Sequence, residues 1–306
     1  MSILNTRSYT GSEDLQAMIS LTQTLRGRGC QVYPIATDLY EELADQEVQI
    51  TARLWENECQ QLAGFAYVNR YQNLVDVFEP EQLTSLLEND LIDWAIHAVK
   101  HRNQMKNETQ TLDASTLESD SSRIAFLERH GFVRQAESSI LMACPLVEPL
   151  PEPKLPVGFT IRPMGGEAEI EAYVALHRSA FGTGNMTVEY RRTIMSAPDY
   201  IPELDLVVVA PNGELAAFCV CQIFPDDSPR GGGVKEGWTD PIGTHPNYQR
   251  LGLAQALIIK GMHLLKERGI DTVILGTSSE NIAMQRTAEK VGFRTVSNTL
   301  WYCKTV

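Results

Sequence analysis

Residues 242–254 read I-G-T-H-P-N-Y-Q-R-L-G-L-A, and the fold is decided there. A short extended segment meets Pro246, turns through Gln249-x-x-Gly252-x-Ala254, and enters a helical apolar stripe at Leu253, Leu257, Leu264 and Leu265. Such a turn aims successive backbone N–H groups into one concavity, and the following helix adds the positive end of its dipole. That combination cradles a pyrophosphate. Gly252 permits close approach of the ligand, and Ala254 lets the helix start beside it. The other phosphate turns fit poorly, because neither Gly-Lys-Ser/Thr nor G-x-G-x-x-G is present.

Downstream, the helix stops at Gly269 with Lys266 and Arg268 in its last turn. The β-branched run of residues 272–275 reads as a buried parallel strand. Ser278, Ser279, Glu280 and Asn281 follow, then a short helix with apolar Met284, Ala288 and Val291 that ends at Gly292-Phe293. This order of strand, phosphate turn, helix, strand, Asn, helix, Gly-Phe and strand resembles the GNAT acyl-coenzyme A N-acyltransferase superfamily. The resemblance covers residues 159–306. It is carried by the Gln/Arg-x-x-Gly-x-Gly/Ala turn and by the segment from Asn281 to "EKVGF".

Charge and cysteine usage narrow the function classes. Residues 1–150 hold 11 Lys/Arg against 22 Asp/Glu, and the remainder 15 against 17, giving the overall −13. So acidic a chain offers no basic face for nucleic acid or for an anionic membrane. An acidic surface suits a cationic amine, although solubility alone explains it. Cys30, Cys59, Cys144, Cys219, Cys221 and Cys303 show no C-x-x-C spacing, which points to a reducing compartment without structural zinc. No signal-peptide core and no apolar run of about 18 residues is found. The expected location is the cytoplasm.

Residues 145–158 hold five prolines in fourteen positions and read as a stiff connector. Domains are expected at 1–144 and 159–306. Each half closes with a short amphipathic helix, a Gly-Phe stop and an extended run: "IAFLERHGFVRQAESSILMAC" and "AMQRTAEKVGFRTVSNTLWYC". With the strand-like runs at residues 63–69 and 74–78, this suggests one α/β unit used twice; an unrelated first domain is the alternative. Where the second half has its turn, residues 80–90 contain no glycine and several acids. The expected fold class is therefore α/β with a mixed sheet, as two tandem GNAT-like domains of which the first is degenerate. The arrangement is similar to tandem members such as mycothiol synthase.

The resemblance implies acetyl-CoA as co-substrate and no metal. In the family a pantetheine arm lies between splayed fourth and fifth strands. Ile242, Gly243 and Thr244 would line it through their main chain, and Gln249 with the amides of Arg250, Leu251, Gly252, Leu253, Ala254 and Gln255 would hold the pyrophosphate. Asn281 matches the family Asn, yet Asn is also a good helix N-cap. Amine acylation needs a base for the ammonium and a donor for the leaving thiolate. Glu236, Trp238 and Asp240 alternate before Ile242 and so share one strand face. Glu236 and Asp240 are the candidates for base or amine anchor; exposed strand-end carboxylates are the plainer reading. The family Tyr that protonates the thiolate falls at Ala288, which cannot donate. Thr287, Ser278, Ser279 and Tyr302 are the substitutes at hand, and Trp301 and Tyr302 are placed either at an acceptor cleft or in the core. Arg230 to Gly233 reads as a flexible loop. His97, His101, His130, His177 and His263 lack metal spacing, His245 reads as a loop residue, and Tyr248 as a packing one.

The expected activity is acetyl transfer to a primary amine of a small molecule or peptide in a ternary complex, with a homodimer allowed. The competing reading is a non-catalytic acyl-CoA-binding or regulatory module.

Overall fold

Alternating strands and helical runs fill both halves of the chain. The computed structural model describes residues 4–28, 34–79, 82, 84–147, 149–197, 200–223 and 235–306. Cys30, the glycine-rich stretch from Arg230 to Gly233, and Pro80, Glu81 and Leu83 of the acidic segment lie outside the described residues. The earlier elements are β1 (Asn5–Ser8), α1 (Ser12–Gly27), α2 (Ala36–Glu42), α3 (Gln46–Thr51), β2 (Arg53–Glu56), β3 (Leu62–Val68), β4 (Asn73–Phe78), α4 (Ser85–Lys106), β5 (Leu112–Leu117), α5 (Ser121–Arg129) and β6 (Val133–Pro145). The later ones are β7 (Thr160–Pro163), α6 (Ile170–Phe181), α7 (Val188–Met195), β8 (Asp205–Val209), β9 (Leu215–Ile223), β10 (Glu236–Thr244), α8 (Leu253–Glu267), β11 (Thr272–Ser278), α9 (Ile282–Lys290) and β12 (Arg294–Lys304).

The compact units are not two contiguous halves. One gathers Met1–Ser138 with Asn298–Val306, the other Ser139–Ser228 with Gly233–Ser297. In the first, strands run β1-β2-β3-β4-β5 and end on the last part of β12, whose residues 299–304 pair antiparallel with β5. In the second, β7-β8-β9-β10-β11 end on the last part of β6, whose residues 139–145 pair antiparallel with β11. Strand sense repeats too. Four strands follow one another antiparallel, one parallel step follows, then the antiparallel final strand. One α/β pattern is thus used twice.

Period-two side-chain alternation explains why helices cover both faces. Phe65 and Tyr67 of β3 pack with Leu15, Met18 and Leu25 of α1, while Ala66 and Val68 pack with Leu91, Ala95 and Val99 of α4. In the second unit Phe218 and Val207 meet Tyr173 and Val174 of α6; Cys219, Cys221 and Val273 meet Leu257, Ile258 and Met262 of α8. Helices α5 and α9 stop alike. Gly131 and Gly292 take positive φ, and the amides of Phe132 and Phe293 donate back to Leu127 and Ala288. The proline-rich stretch is docked: His263 Nε2 lies 2.9 Å from the Pro151 carbonyl, Lys266 Nζ donates to that of Leu146, and Leu150 and Leu155 pack on the α8 core.

A buried ion pair fastens α7 to β8. Arg191 contacts Asp205 directly, both side chains are 1% exposed, the Tyr200 hydroxyl donates to Asp205 at 2.6 Å, and the guanidinium lies 3.8 Å over the Tyr173 ring. Removing one partner strands the other charge in the core, at a cost of about 3–5 kcal/mol. Arg191→Leu is therefore expected to lower the unfolding free energy by about that amount, read from urea titration of the full chain.

Candidate functional site

The parallel ladder between β10 and β11 stops early. Glu236, Gly237 and Trp238 pair with Thr272, Val273 and Ile274, and there it ends. β11 continues to Ser278 on its other neighbour, β6, and β10 continues to Thr244 on β9, with an irregularity between Thr239 and Ile242. The two strands therefore diverge while each stays anchored on its outer side. Two register positions further on, Asp240 would pair with Gly276. Instead the Asp240 carboxylate accepts the Gly276 backbone N–H, taking the place of a ladder bond. Gly276 makes room for it: a Cβ there would lie 3.1 Å from Asp240 Oδ2 and 3.9 Å from Trp238 Cζ3. Burial disfavours the charged form and pushes the Asp240 pKa up to about 7, with the Gly276 N–H pulling the other way.

Glu236, Trp238 and Asp240 share the strand face turned away from α8. The opposite face belongs to packing. A Cβ on Gly237 would meet the Leu265 side chain, and Thr239 Cγ2 lies 3.2 Å from the same position on Gly261. Glu236 is buried (2% exposed) in the paired part of the ladder, two residues short of the divergence, whereas Asp240 is half-buried within it.

At the far end of β10 the chain enters the turn. Ile242 is buried on the α8 side, Gly243 lies under the Phe218 ring, and the His245 amide donates to Ala216. Arg250 and Gly252 both take left-handed φ, 63° and 80°, and Gly252 is the N-cap of α8 without any side-chain cap. The first helix-entering bond runs from the Ala256 amide to the Gly252 carbonyl. Among the described residues the amides of 250–255 consequently have no acceptor, and residues 249–252 are exposed. Uncapped N–H groups at a helix start, with two residues in the left-handed region, form an anion-binding concavity. Space beside Gly252 is open, so the residues present suit the pyrophosphate of a coenzyme A carrier.

Other residues singled out from sequence take plainer roles. Asn281 Oδ1 accepts from the Met284 amide, as an N-cap. Gln285 Nε2 bridges the carbonyls of Ser278 and Ser279 at 3.0 Å each and holds the turn before α9. The Thr287 hydroxyl donates to the Ala283 carbonyl. Ala288 is 0% exposed within the α8 core. Tyr302, considered above as a thiolate donor, is part of the first unit's core with Leu112, Ala114 and Phe126. Tyr248 donates to Glu214 at 2.5 Å and meets Phe159 edge-on; His245 Nδ1 accepts from Asn247; His177 stacks on Phe218. Among the described residues no group of three or more His, Cys, Asp or Glu is placed to hold a metal ion, and no helix is long and apolar enough to cross a membrane.

In the first unit the corresponding groups are already taken. Its parallel ladder stops at Leu74 and Ala114, so β4 and β5 also diverge, and Asp76 sits two residues beyond as Asp240 does. Here both carboxylate oxygens are taken by Arg123 of α5. Helix α4, the counterpart of α8, is capped by the Thr84 hydroxyl and carries Glu88 in its first turn. Capped amides and a nearby carboxylate repel a phosphate.

Splayed parallel strands beside an uncapped, left-handed turn are the arrangement that the resemblance in sequence implies for the second unit. Residues 170–293 match the Acetyltransferase (GNAT) family. A mycothiol acetyltransferase from Saccharomonospora viridis is 26% identical over 181 residues, covering 58% of this chain and 59% of that protein. The chain spans about half the length of the curated relatives it matches. A GCN5-related N-acetyltransferase from Sphaerobacter thermophilus superposes with a TM-score of 0.74 at 20% identity, over 99% of this chain and 95% of that one. A tandem GNAT protein from the clavulanic acid biosynthesis pathway gives 0.73 at 15% identity, over 99% and 98%. These likenesses concern fold. Because they cover both units, the expectation of two tandem domains of one fold holds.

Proposed function

We propose that the second unit is an acetyl-CoA-dependent N-acetyltransferase acting on a primary amine of a small molecule or peptide. The observation that carries this is the divergence of β10 and β11 between the Asp240 carboxylate and the uncapped turn at 250–255. Main-chain groups of Ile242, Gly243 and Thr244 line the opening, and the amides from Arg250 to Gln255 with Gln249 hold the diphosphate. Asn281, while capping α9, would contact the cofactor arm, as the resemblance implies. Acetyl-CoA, when bound, supplies the acetyl group as an activated thioester. Asp240 docks the incoming ammonium and takes its proton, so that the neutral nitrogen attacks the acyl carbon; Glu236 stays in the paired ladder as the second carboxylate of that face. The leaving sulfur receives its proton from a Ser278 or Ser279 hydroxyl or from water, because Ala288 supplies none. The location that fits this reading is the cytoplasm, and a homodimer is compatible with it.

Gly252→Val tests the cofactor half of the proposal. At φ 80° a β-branched residue is strained by about 1–3 kcal/mol, and the turn must open to relieve it. Titration calorimetry of the full chain should show one coenzyme A site, weakened about 5- to 100-fold in the variant. Two equivalent sites, or an unchanged affinity, would contradict the proposal.

A second reading, a non-catalytic acyl-CoA-binding module, is favoured by the complete burial of Ala288 where the family carries its proton donor. Coenzyme A release measured against a panel of amines separates the two. Release that depends on the amine supports the enzyme, and binding without release supports the module.

A further inference from the structure

The turn from Gln249 to Gly252 is exposed, and Arg250 holds a left-handed φ that a non-glycine residue adopts reluctantly. Converging N–H groups carry like partial charges and oppose the shape as well. Such a turn keeps its form only if its flanks are held. On the helix side Leu253 is buried in the α8 core. On the strand side stands Tyr248. Its amide donates to the His245 carbonyl at 2.9 Å, and its ring meets Phe159 edge-on while packing on the α8 core. Its hydroxyl donates to Glu214 at 2.5 Å and accepts from Asn212 Nδ2 at 3.0 Å. Both partners lie in the turn between β8 and β9, which has bonds of its own: the Ala210 amide donates to the Glu214 carbonyl, that of Gly213 to Ala210, and that of Glu214 to Asn212 Oδ1. A carboxylate acceptor makes the phenol bond charge-assisted.

The first unit supplies the comparison. There the amides of Asn57, Gln60, Glu79 and Gln82 donate to the carbonyls of Gln61, Asn57, Ala63 and Glu79. In the second unit those of Ala210, Gly213, His245 and Tyr248 donate in the same pattern to Glu214, Ala210, Ala216 and His245. The shared backbone framework sets Gln82 at the place of Tyr248 and Gln61 at that of Glu214. The unit whose helix start is capped by Thr84 thus has neither the phenol nor the carboxylate at these two positions.

We propose that Tyr248, held by Glu214, is a positioning residue that fixes the strand side of the diphosphate turn, so that coenzyme A meets amides already aimed at it. This rests on the reading of that turn as the coenzyme A site. Holding a loop in its bound shape raises affinity by removing the ordering step from binding. The effect reaches only the part of the cofactor that the turn touches.

The test uses the full chain labelled with nitrogen-15. Without ligand, the amides of 250–255 are expected to show rigid order parameters of about 0.85. In Tyr248→Phe, which keeps the ring and loses the bond, they should fall below about 0.6. Coenzyme A affinity by titration calorimetry should weaken about 3- to 10-fold in that variant, the worth of one hydrogen bond. Glu214→Ala should do the same, and the double variant no more than either alone, because both remove one shared interaction. In turnover the loss should fall on the KM for acetyl-CoA and spare that for S-acetylpantetheine, which carries no diphosphate. Rigid amides or unchanged affinity in Tyr248→Phe, additive losses in the double variant, or equal losses with both donors overturn the proposal. If the native chain bound no coenzyme A, the cofactor reading would fall instead, and the order parameters would still decide whether Tyr248 holds the turn.

Discussion

Residues 159–297 expressed alone are expected to remain unfolded, whereas residues 139–297 should melt cooperatively. The difference is the segment before and through the proline-rich stretch. Strand β11 loses its entire pairing with residues 139–145, running from Thr272 with Pro145 to Ser278 with Ser139, and becomes an unpaired edge. The α8 core loses Met142, Cys144 and Leu146, all at most 7% exposed, together with the contacts of Leu150 and Leu155. Burying one such side chain contributes about 1.5–3 kcal/mol, so the three buried ones alone account for about 5–9 kcal/mol. A whole domain is stable by only about 5–15 kcal/mol. Loss on that scale is loss of the fold. A division of the chain at the proline connector and a division at residues 138/139 thus predict opposite outcomes. Near-ultraviolet circular dichroism with thermal melting of the two fragments decides between them; a cooperative melt of 159–297 matching that of 139–297 would favour the connector. Both fragments omit 298–306, which belongs to the other unit.

That same segment marks where sequence reading runs out. The helix and turn of each half were legible because their signals are local: Gly252 where φ must be positive, a helix start without a Ser, Thr, Asp or Asn cap, and Gly-Phe pairs that end α5 and α9 with the same bonds. The identity of each unit's last strand was not legible. The runs after Gly131 and Gly292 are both extended and apolar near their ends, so either could pair with β5 or β11, and local sequence holds nothing that selects between them. Tyr302 was considered beside the thiolate for that reason, and it packs in the first unit. Register was the other hidden quantity. Alternation put Asp240 on the face of Glu236, but only the position at which the ladder stops reveals that Asp240 faces Gly276. A glycine within the run T-V-I-L-G-T-S was the available signal, since glycine inside a strand often marks close approach of another group.

Asp240→Asn is expected to lower kcat by about 10² to 10⁴, the worth of a general base, while raising thermal stability at pH 8. The amide keeps the shape of the carboxylate and its carbonyl oxygen can still accept the Gly276 N–H, so the divergence of the strands is preserved. Only the basicity is lost. In the native protein burial raises the Asp240 pKa to about 7, above the ordinary carboxylate value of about 3.9. A carboxyl group with a raised folded-state pKa contributes most to stability below its unfolded pKa, and that contribution is lost as pH rises through the folded value. Between about pH 4 and 7 the native protein therefore loses stability that the Asn variant retains, and the variant's advantage in melting temperature should be larger at pH 8 than at pH 5. Activity runs the other way. The base works only when ionised, so native kcat/KM should climb with pH to a plateau above about 7, and the climb should vanish in the variant. Opposite effects on rate and stability from one isosteric change separate a base from a wedge. If Asp240 served only to hold β10 and β11 apart, the Asn variant would keep its turnover and its pH profile.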